Sequence, residues 1–446
     1  MMAFWNSELE QTVHNSKRLI SSKLHEQDVI DWLSEYRDSA PTSSNQGTSN
    51  LPFQRWFKFK EAFSPKFVAD TLGALPYKVD TCLDPFLGSG TTAVTCRMLG
   101  INSIGTEVNP FLADLIEAKL TPINTAQFVE LYEKTINNLI ILNEDRVLSE
   151  GMPRTLTEPG IKDRYVFSIS AYETIRAILR NSYNLPLEFG RLLRVLLGSV
   201  LVENSNVIIN GKGRRYRKNW TSRYKSGSDV IRSLDIAVDK ACADITRFSG
   251  LPQGQHAILR GDTRGLLPKI KNADAIIFSP PYPNSFDYTD VYNLELWMLD
   301  YLKSANDNKA LRNRTFRSHV QSLWNKSNFT AKSSTLFETV SELERKRALL
   351  WNKNIPEMVA YYFDDLYNIF FEFKRILDNG HHAIVAIGDS RYADVHIDVA
   401  TILQESVADL GFQLVNRGAI RSMRSSSQNG GKLELSEHCL VFEKIF

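Results

Sequence analysis

The chain carries short runs of apolar residues that end in turn-forming residues, and amphipathic stretches separate several of these runs. The runs lie in the segments VDTCLDPF, NSIGTE, HAILRGD, ADAIIFSPPY and HAIVAIGDS. Short continuous apolar runs are typical of strands that are buried on both faces of a parallel sheet. We therefore predict one buried parallel sheet with helices packed against its faces.

The clearest helical pattern stops at Asp378-Asn379-Gly380. Apolar residues at intervals of three or four place one face of this helix in the core, namely Phe363, Leu366, Phe370, Phe373 and Leu377. Near the end of the chain, FQLVNRGAI and HCLVFEKIF flank a polar segment that contains glycine, which predicts an antiparallel hairpin at the edge of the sheet. The predicted fold class is α/β, with a doubly wound sheet.

Two long segments, at about 121–255 and 284–355, exceed ordinary sheet connections and are predicted to be largely helical insertions. Residues 1–50 are expected to form an N-terminal helical segment and a linker that ends in SAPTSSNQGTSN. The main domain would then consist of residues 51–120 and residues 256–446, with the insertions between and within these parts.

Composition narrows the class of protein. The 53 basic and 51 acidic side chains give a net charge of +2, so any interaction with a polyanion has to be local. The sequence begins without a basic and apolar leader, and its most apolar stretch, LLRVLLGSVLV, contains Arg194 and is too short to span a bilayer. We expect a soluble, cytoplasmic protein without disulfides or metal, since no CxxC pair joins the four cysteines, Cys82, Cys96, Cys242 and Cys439.

A glycine-containing loop follows the first predicted strand and precedes the helix-like run TTAVTCRML. Gly88 and Gly90 allow a tight turn and let a ligand approach the backbone, although a turn without a ligand would also use glycine. The next strand ends at Glu107, where a carboxylate can accept hydrogen bonds from both hydroxyls of a ribose. No Gly-Lys-Ser/Thr sequence follows, which argues against a nucleoside triphosphate loop.

The strand ADAIIF continues into Ser279-Pro280-Pro281-Tyr282, and the two prolines make this loop rigid and poor in donors. The amino group of a base is a weak nucleophile, because its lone pair is delocalised into the ring. Ser279 Oγ and the Pro280 carbonyl are predicted to orient such an amino group, and Tyr282 is predicted to stack on an extruded base. A turn that only closes the strand is the alternative.

The joint presence of DPFLGSGTT and SPPY resembles the amino-group DNA methyltransferases, which form N4-methylcytosine or N6-methyladenine on a Rossmann-like seven-stranded sheet. The resemblance covers about 55–120 and 256–446. It implies S-adenosylmethionine as cofactor, double-stranded DNA as substrate and a candidate partner endonuclease in restriction-modification. It also implies a catalytic loop of Ser279, Pro280, Pro281 and Tyr282, and cofactor contacts from Phe63, Asp84, Pro85, Phe86, Gly88, Gly90, Thr91, Glu107 and Asp262.

Ser279 occupies the position that adenine-modifying members mostly fill with Asp or Asn, so the resemblance favours cytosine N4. N6-adenine methylation, transfer to RNA or to a protein amide, and a non-catalytic DNA-binding role remain open alternatives, and a nicotinamide oxidoreductase is disfavoured because SPPY would have no purpose. Cytosine C5 methylation is excluded, because that chemistry needs a cysteine after a proline and no cysteine here follows one.

Two segments are predicted to contact DNA, and their placement leaves open which insertion reads the sequence. The stretch from 212 to 225 contains no acid and alternates cations with aromatics, as suits phosphates and bases together. The second segment is KALRNRTFRSHVQSLWNKSNFTAK. Basic runs are often no more than solvated surfaces. The predicted contacts are Lys212, Arg214, Arg215, Tyr216, Arg217, Arg314 and Arg317.

Overall fold

The computed structural model describes residues 26–34, 50–59, 61–210, 213–251, 254–321, 330–424 and 433–446. The strands within these residues form one large sheet and two small ones. Their bounds are β1 Thr81–Asp84, β2 Asn102–Glu107, β3 Val207–Asn210, β4 Gly213–Tyr216, β5 His256–Arg260, β6 Ala275–Phe278, β7 His382–Gly388, β8 Ser390–Tyr392, β9 Val395–Ile397, β10 Phe412–Arg424 and β11 Leu433–Lys444.

The large sheet has seven strands in the order β10-β11-β7-β6-β1-β2-β5. The four pairs β7-β6, β6-β1, β1-β2 and β2-β5 are parallel, whereas β11 is antiparallel to both β7 and β10. The predicted α/β class, the parallel sheet and the C-terminal antiparallel hairpin are confirmed. This arrangement is the Rossmann-like methyltransferase sheet that the resemblance implied.

The register of β1 fixes the position of the functional loops. β1 pairs with β2 on one side and with β6 on the other, and all three strands run in the same direction. Their carboxyl ends therefore meet at one edge of the sheet, where ligands bind in open α/β folds. The glycine loop, Glu107 and the SPPY loop follow these three strands directly.

Helices cover both faces of the sheet and build the insertions. Their bounds are α1 Glu26–Ser34, α2 Pro65–Ala74, α3 Thr91–Leu99, α4 Pro110–Leu120, α5 Thr125–Asn137, α6 Ile169–Ser182, α7 Leu187–Val200, α8 Gly227–Arg247, α9 Thr263–Leu266, α10 Tyr288–Val291, α11 Asn293–Met298, α12 Ala305–Arg314, α13 Ser334–Arg345, α14 Ile355–Ile376 and α15 Val399–Val407. The predicted apolar face of α14 is buried, and that helix ends just before Leu377.

The first insertion, 121–255, contains α5 to α8 and the small β3-β4 hairpin, and it shares its apolar core with the first part of the main domain. α7 packs closely on α4, because a Cβ at Gly198 would lie 2.5 Å from the Phe111 ring. Asp244 of α8 accepts hydrogen bonds from the Phe53 N–H at 2.9 Å and the Trp56 indole at 2.8 Å. The insertion is thus fastened to the segment that precedes the glycine loop.

In the described part of the chain, none of the helices combines the length and the apolar character that crossing a membrane requires.

Candidate active site

A central cleft opens at the edge of the sheet where β1, β2 and β6 end. Its walls come from six segments: Phe59 with residues 61–63 before α2, the glycine loop, the end of β2 with the start of α4, the turn after β5, the SPPY loop and the second insertion. Of the predicted cofactor contacts, the cleft is lined by Phe63, Pro85, Phe86, Gly88, Thr91, Glu107 and Asp262.

Asp84 and Gly90 do not line the cleft but give the glycine loop its shape. The Asp84 carboxylate accepts hydrogen bonds from the Phe86 N–H at 2.8 Å and the Thr92 hydroxyl at 2.6 Å. Gly90 has a φ of 84°, and a Cβ there would lie 2.8 Å from the Ile116 side chain. Gly90 is therefore required by the turn and by packing on α4 rather than by direct ligand contact.

Glu107 is buried and its carboxylate closes the base of the cleft. One oxygen accepts from the Gly88 N–H and the other from the Asn109 N–H, each at 2.8 Å. Burial raises the pKa of this carboxyl to about 8, since the charged form is poorly solvated. Each carboxylate oxygen keeps a further lone pair that can accept a ligand hydroxyl.

Lys119 supports the glycine loop from behind, a role that the sequence did not predict. Its ammonium group donates to the Ser89 carbonyl at 2.7 Å although the side chain is buried in α4. Burial lowers the pKa of this amine to about 7. The lysine thereby holds the main-chain oxygen of Ser89 in place.

An aromatic and acidic wall begins beside the glycine loop, since a Cβ at Gly88 would lie 3.0 Å from the Phe59 ring. Phe59, Glu61 and Phe63 line the cleft, and Phe59 stacks on Tyr292 with ring centroids 5.1 Å apart. The Tyr292 hydroxyl donates to Glu61 at 2.5 Å. Glu61 was not predicted from the sequence.

The turn after β5 adds polar groups. Asp262 lines the cleft and its carboxylate is bound by Arg264 at 2.7 Å, while Arg264 also reaches Asp365 at 2.9 Å. Thr263 lines the cleft too, and its buried hydroxyl finds no hydrogen-bond acceptor or donor among the described residues. An unsatisfied buried hydroxyl in a cleft wall suits a polar ligand group.

The SPPY loop divides its side chains between the cleft and the protein interior. Ser279 and Pro281 line the cleft, whereas Pro280 is buried and Tyr282 does not line it. The Tyr282 hydroxyl donates to Glu437 of β11 at 2.5 Å, and its ring lies against the backbone of β7. This position gives no support to the prediction that Tyr282 stacks on an extruded base, because its hydroxyl points toward the hairpin.

The predicted DNA contacts fall into two groups. Three guanidinium groups have partners within the protein: Arg214 donates to Asn293, Arg217 to the Val202 and Ser205 carbonyls, and Arg317 to Asp364 and Asp365. These contacts give no support to a role for those three on DNA. The ring of the fourth residue, Tyr216, contacts the Arg164 guanidinium.

The remaining predicted cations are open to solvent or lie outside the described residues. Arg215 is exposed on β4, and Arg314 is exposed at the end of α12, where it also lines the cleft. Lys212 lies outside the described residues. The second insertion therefore contributes to the cleft itself through Tyr288, Leu311, Arg314 and Phe316.

The donors and acceptors in the cleft match the chemistry of S-adenosylmethionine. Acidic side chains at Glu61, Glu107 and Asp262 suit a ligand with a positive charge, a ribose diol and an exocyclic amine. The apolar rings of Phe63, Phe86 and Phe316 can enclose an adenine ring.

Comparison with known proteins agrees with this geometry. A family model described as a DNA methylase of the N6/N4 methyltransferases matches residues 5–118. The type II methyltransferase M.BsoBI of Geobacillus stearothermophilus is 27% identical over 90% of this chain and 87% of its own. The type II methyltransferase M.AvaI of Nostoc is also 27% identical, over 83% of this chain and 81% of its own.

A third relative matches a short segment only. The type II methyltransferase M.MjaII of Methanocaldococcus jannaschii is 44% identical over 62 residues, which are 14% of this chain and 12% of its own. The family model and the two long alignments cover the glycine loop, and together with the sheet order they support the similarity of this chain to the amino-group DNA methyltransferases.

Proposed function

We propose that the protein transfers a methyl group from S-adenosylmethionine to the N4 amino group of cytosine in double-stranded DNA. The observation that carries this proposal is that Ser279 and Glu107 line the same cleft. Glu107 suits a ribose and Ser279 suits an amino group. A cofactor held by Glu107 would thus lie beside a base held by Ser279.

Residues of the glycine loop and its surroundings would hold the cofactor. Glu107 would accept hydrogen bonds from the ribose hydroxyls, and Asp262 with Thr263 would meet the polar edge of the adenine. Glu61 adds a negative charge that favours the cationic methionine part. When bound, the cofactor supplies a methyl group on a positively charged sulfur, which is a good leaving group.

The SPPY loop would orient the target amino group. Ser279 Oγ and the Pro280 carbonyl can each accept one amino hydrogen, and holding both hydrogens favours a nitrogen whose lone pair leaves conjugation with the ring and points toward the methyl donor. The backbone of two successive prolines has little freedom, so the acceptors are held in place before the base arrives. Such acceptors act mainly in the transition state.

Cytosine is favoured over adenine by the family resemblance and not by hydrogen-bonding capacity, since serine, asparagine and aspartate can all accept from an amino group. The family resemblance associates serine at this position with N4 methylation. The relatives are type II methyltransferases by name, so we also propose a restriction-modification setting with an endonuclease that acts on the same site. DNA would approach over the exposed Arg215 and over Arg314 at the cleft.

A Ser279→Ala variant tests the proposed role of the SPPY loop. We expect its kcat on DNA to fall by about 100-fold or more, while its affinity for S-adenosylmethionine stays within about twofold of wild type. Methyl transfer from labelled cofactor to DNA, RNA and protein is measured side by side. Preferential transfer to RNA or protein, or an unchanged kcat, would overturn the proposal.

A further inference from the structure

A chain of hydrogen bonds connects the SPPY loop to the C-terminal hairpin. The Tyr282 hydroxyl donates to Glu437 Oε1 at 2.5 Å. On its other side, the same hydroxyl lies 3.5 Å from Ser279 Oγ, a long contact in which serine is the donor. Ser279 lines the central cleft, so the chain runs from the cleft wall into the protein interior.

Glu437 is built into the sheet at a position that fixes its side chain. In β11 it lies opposite Gly388 of β7 and Arg421 of β10. It is 1% exposed, and Arg421 donates to its Oε2 at 2.5 Å. Both side-chain oxygens of Glu437 thus receive a donor, Oε1 from the Tyr282 hydroxyl and Oε2 from the Arg421 guanidinium, and a carboxylate can only accept hydrogen bonds.

The ring of Tyr282 is held as firmly as its hydroxyl. It packs over Gly388, where a Cβ would lie 2.8 Å from a ring carbon. Glycine at that position leaves the room that the ring occupies, and the hydroxyl thereby reaches β11. The aromatic residue of the loop thus serves as a link between Ser279 and the hairpin.

We infer that Glu437 is a positioning residue that sets the direction of this chain, so that Ser279 presents an acceptor to the amino group of the target base. The inference rests on the proposed function and adds to it how the serine is oriented. Because Glu437 can only accept, the Tyr282 hydrogen must point toward it. The tyrosine oxygen then accepts the serine hydrogen, which leaves the serine lone pairs facing the cleft.

The direction of the chain favours a donor in the substrate. An amino group donates hydrogen bonds, whereas a carbonyl oxygen or a bare ring nitrogen at the same place only accepts them. A serine without this chain can turn its hydrogen either way and would accept both kinds of group. Glu437 thereby contributes to the choice of an amino group although it does not touch the substrate.

A Tyr282→Phe variant is the sharpest test, because phenylalanine keeps the ring and removes only the link. If Tyr282 acted only by stacking on a base, this variant would keep that contact and its kcat would be unchanged. If the Tyr282 hydroxyl links Glu437 to Ser279, its loss is expected to lower kcat by about 10-fold or more, with cofactor affinity within about twofold of wild type. Glu437→Gln is the second variant, and Glu443→Gln, near the other end of β11, is its matched control.

The double variant separates a link from two independent effects. If Glu437 acts through the Tyr282 hydroxyl, Tyr282→Phe with Glu437→Gln is no slower than the slower single variant within about twofold. Independent structural effects would multiply instead. Melting temperature and cofactor affinity are measured on every variant, and if Glu437→Gln does not fold, Tyr282→Phe alone decides.

The outcomes distinguish this inference from the proposed function. Absence of transfer to DNA by the wild-type protein overturns the proposed function and this inference with it. Transfer by wild type, together with a kcat within about twofold of wild type in Tyr282→Phe, overturns the inference alone. Multiplying effects in the double variant overturn it as well.

Discussion

Glu107 accepts a hydrogen bond from the Gly88 N–H at 2.8 Å, although nineteen positions separate the two residues. The contact joins the acid at the end of β2 to the loop at the end of β1. Both residues line the cleft, so this hydrogen bond couples the two parts of the proposed cofactor site. A change at one of them is therefore expected to disturb the other.

Glu107→Gln is expected to weaken S-adenosylmethionine binding by about 10-fold, since it replaces one of the two carboxyl oxygens by an NH2 group, which cannot accept a hydrogen bond. Calorimetric titration of the purified protein measures this effect. Glu130→Gln, at an exposed position of α5, serves as the control and should leave the affinity unchanged. Equal affinities in all three proteins would mean that Glu107 does not contact the cofactor.

Stability should depend on pH through the buried acids of the site. Burial raises the pKa of Glu107 to about 8 and that of Asp84 to about 7. In the unfolded chain these acids titrate at about pH 4. The folded state therefore binds more protons between about pH 4 and pH 8, and the stability of the cofactor-free protein falls as the pH rises through this window.

The Glu107→Gln variant isolates one of these two acids. Glutamine does not ionise, so its melting temperature should rise relative to that of wild type between about pH 5 and pH 8. Calorimetric melting of both proteins across this range provides the measurement. If the plots of melting temperature against pH were parallel for the two proteins, Glu107 would titrate in the folded state as it does in the unfolded chain.

Gly90→Ala should destabilise the protein by about 1–3 kcal/mol, because alanine is strained at a positive φ. The added Cβ would also meet the Ile116 side chain. Gly265→Ala is the matched control, since a Cβ there has no atom within 4 Å and its φ is not positive. Urea unfolding compares the two variants, and an equal cost for both would contradict the assigned role of Gly90.

DNA binding should depend on the exposed cations of the β3-β4 hairpin region. Arg215→Ala with Lys218→Ala is expected to reduce the slope of log affinity against log salt by about 0.9 for each lost phosphate contact. Arg232→Ala with Lys240→Ala, on exposed positions of α8, serves as the control. A slope that both double variants leave unchanged would assign the hairpin to an ordinary solvated surface.

Arg317→Ala should behave differently from the hairpin variants. Its guanidinium binds Asp364 and Asp365, and Asp365 is buried. Removing Arg317 leaves that carboxylate with one guanidinium partner fewer, so we expect lower stability and an unchanged salt slope. Thermal melting and DNA titration at several salt concentrations decide this. A reduced slope of log affinity against log salt at wild-type stability would instead support the prediction that Arg317 contacts DNA directly.

Local patterns in the sequence were sufficient to predict the sheet. The apolar runs of β1, β6 and β7 lie in strands that are buried almost throughout, as expected inside a parallel sheet, whereas β5 at the edge is only partly buried. The ends of three of these strands carry the glycine loop, Glu107 and SPPY, so their meeting at one edge followed from the fold class. The stripe of α14 was equally clear, since its five apolar positions recur at helical spacing.

Contacts between distant segments could not be predicted in this way. Tyr282 and Glu437 are 155 positions apart, and a single glutamate in an edge hairpin carries no periodic signal. Arg317 and Arg217 looked like DNA contacts because a linear stretch without acids conceals partners that other elements supply. Lys119 was missed for a related reason, since a lysine in an amphipathic helix is ordinarily exposed.

The most direct measurement is mass spectrometry of nucleosides from DNA that was incubated with the protein and S-adenosylmethionine. Unmethylated genomic DNA provides every sequence context at once, and the Ser279→Ala variant provides the background. We predict N4-methylcytosine in the wild-type reaction and its loss in the variant. N6-methyladenine as the sole product would contradict the cytosine assignment, and the absence of any methylated nucleoside would contradict DNA methylation itself.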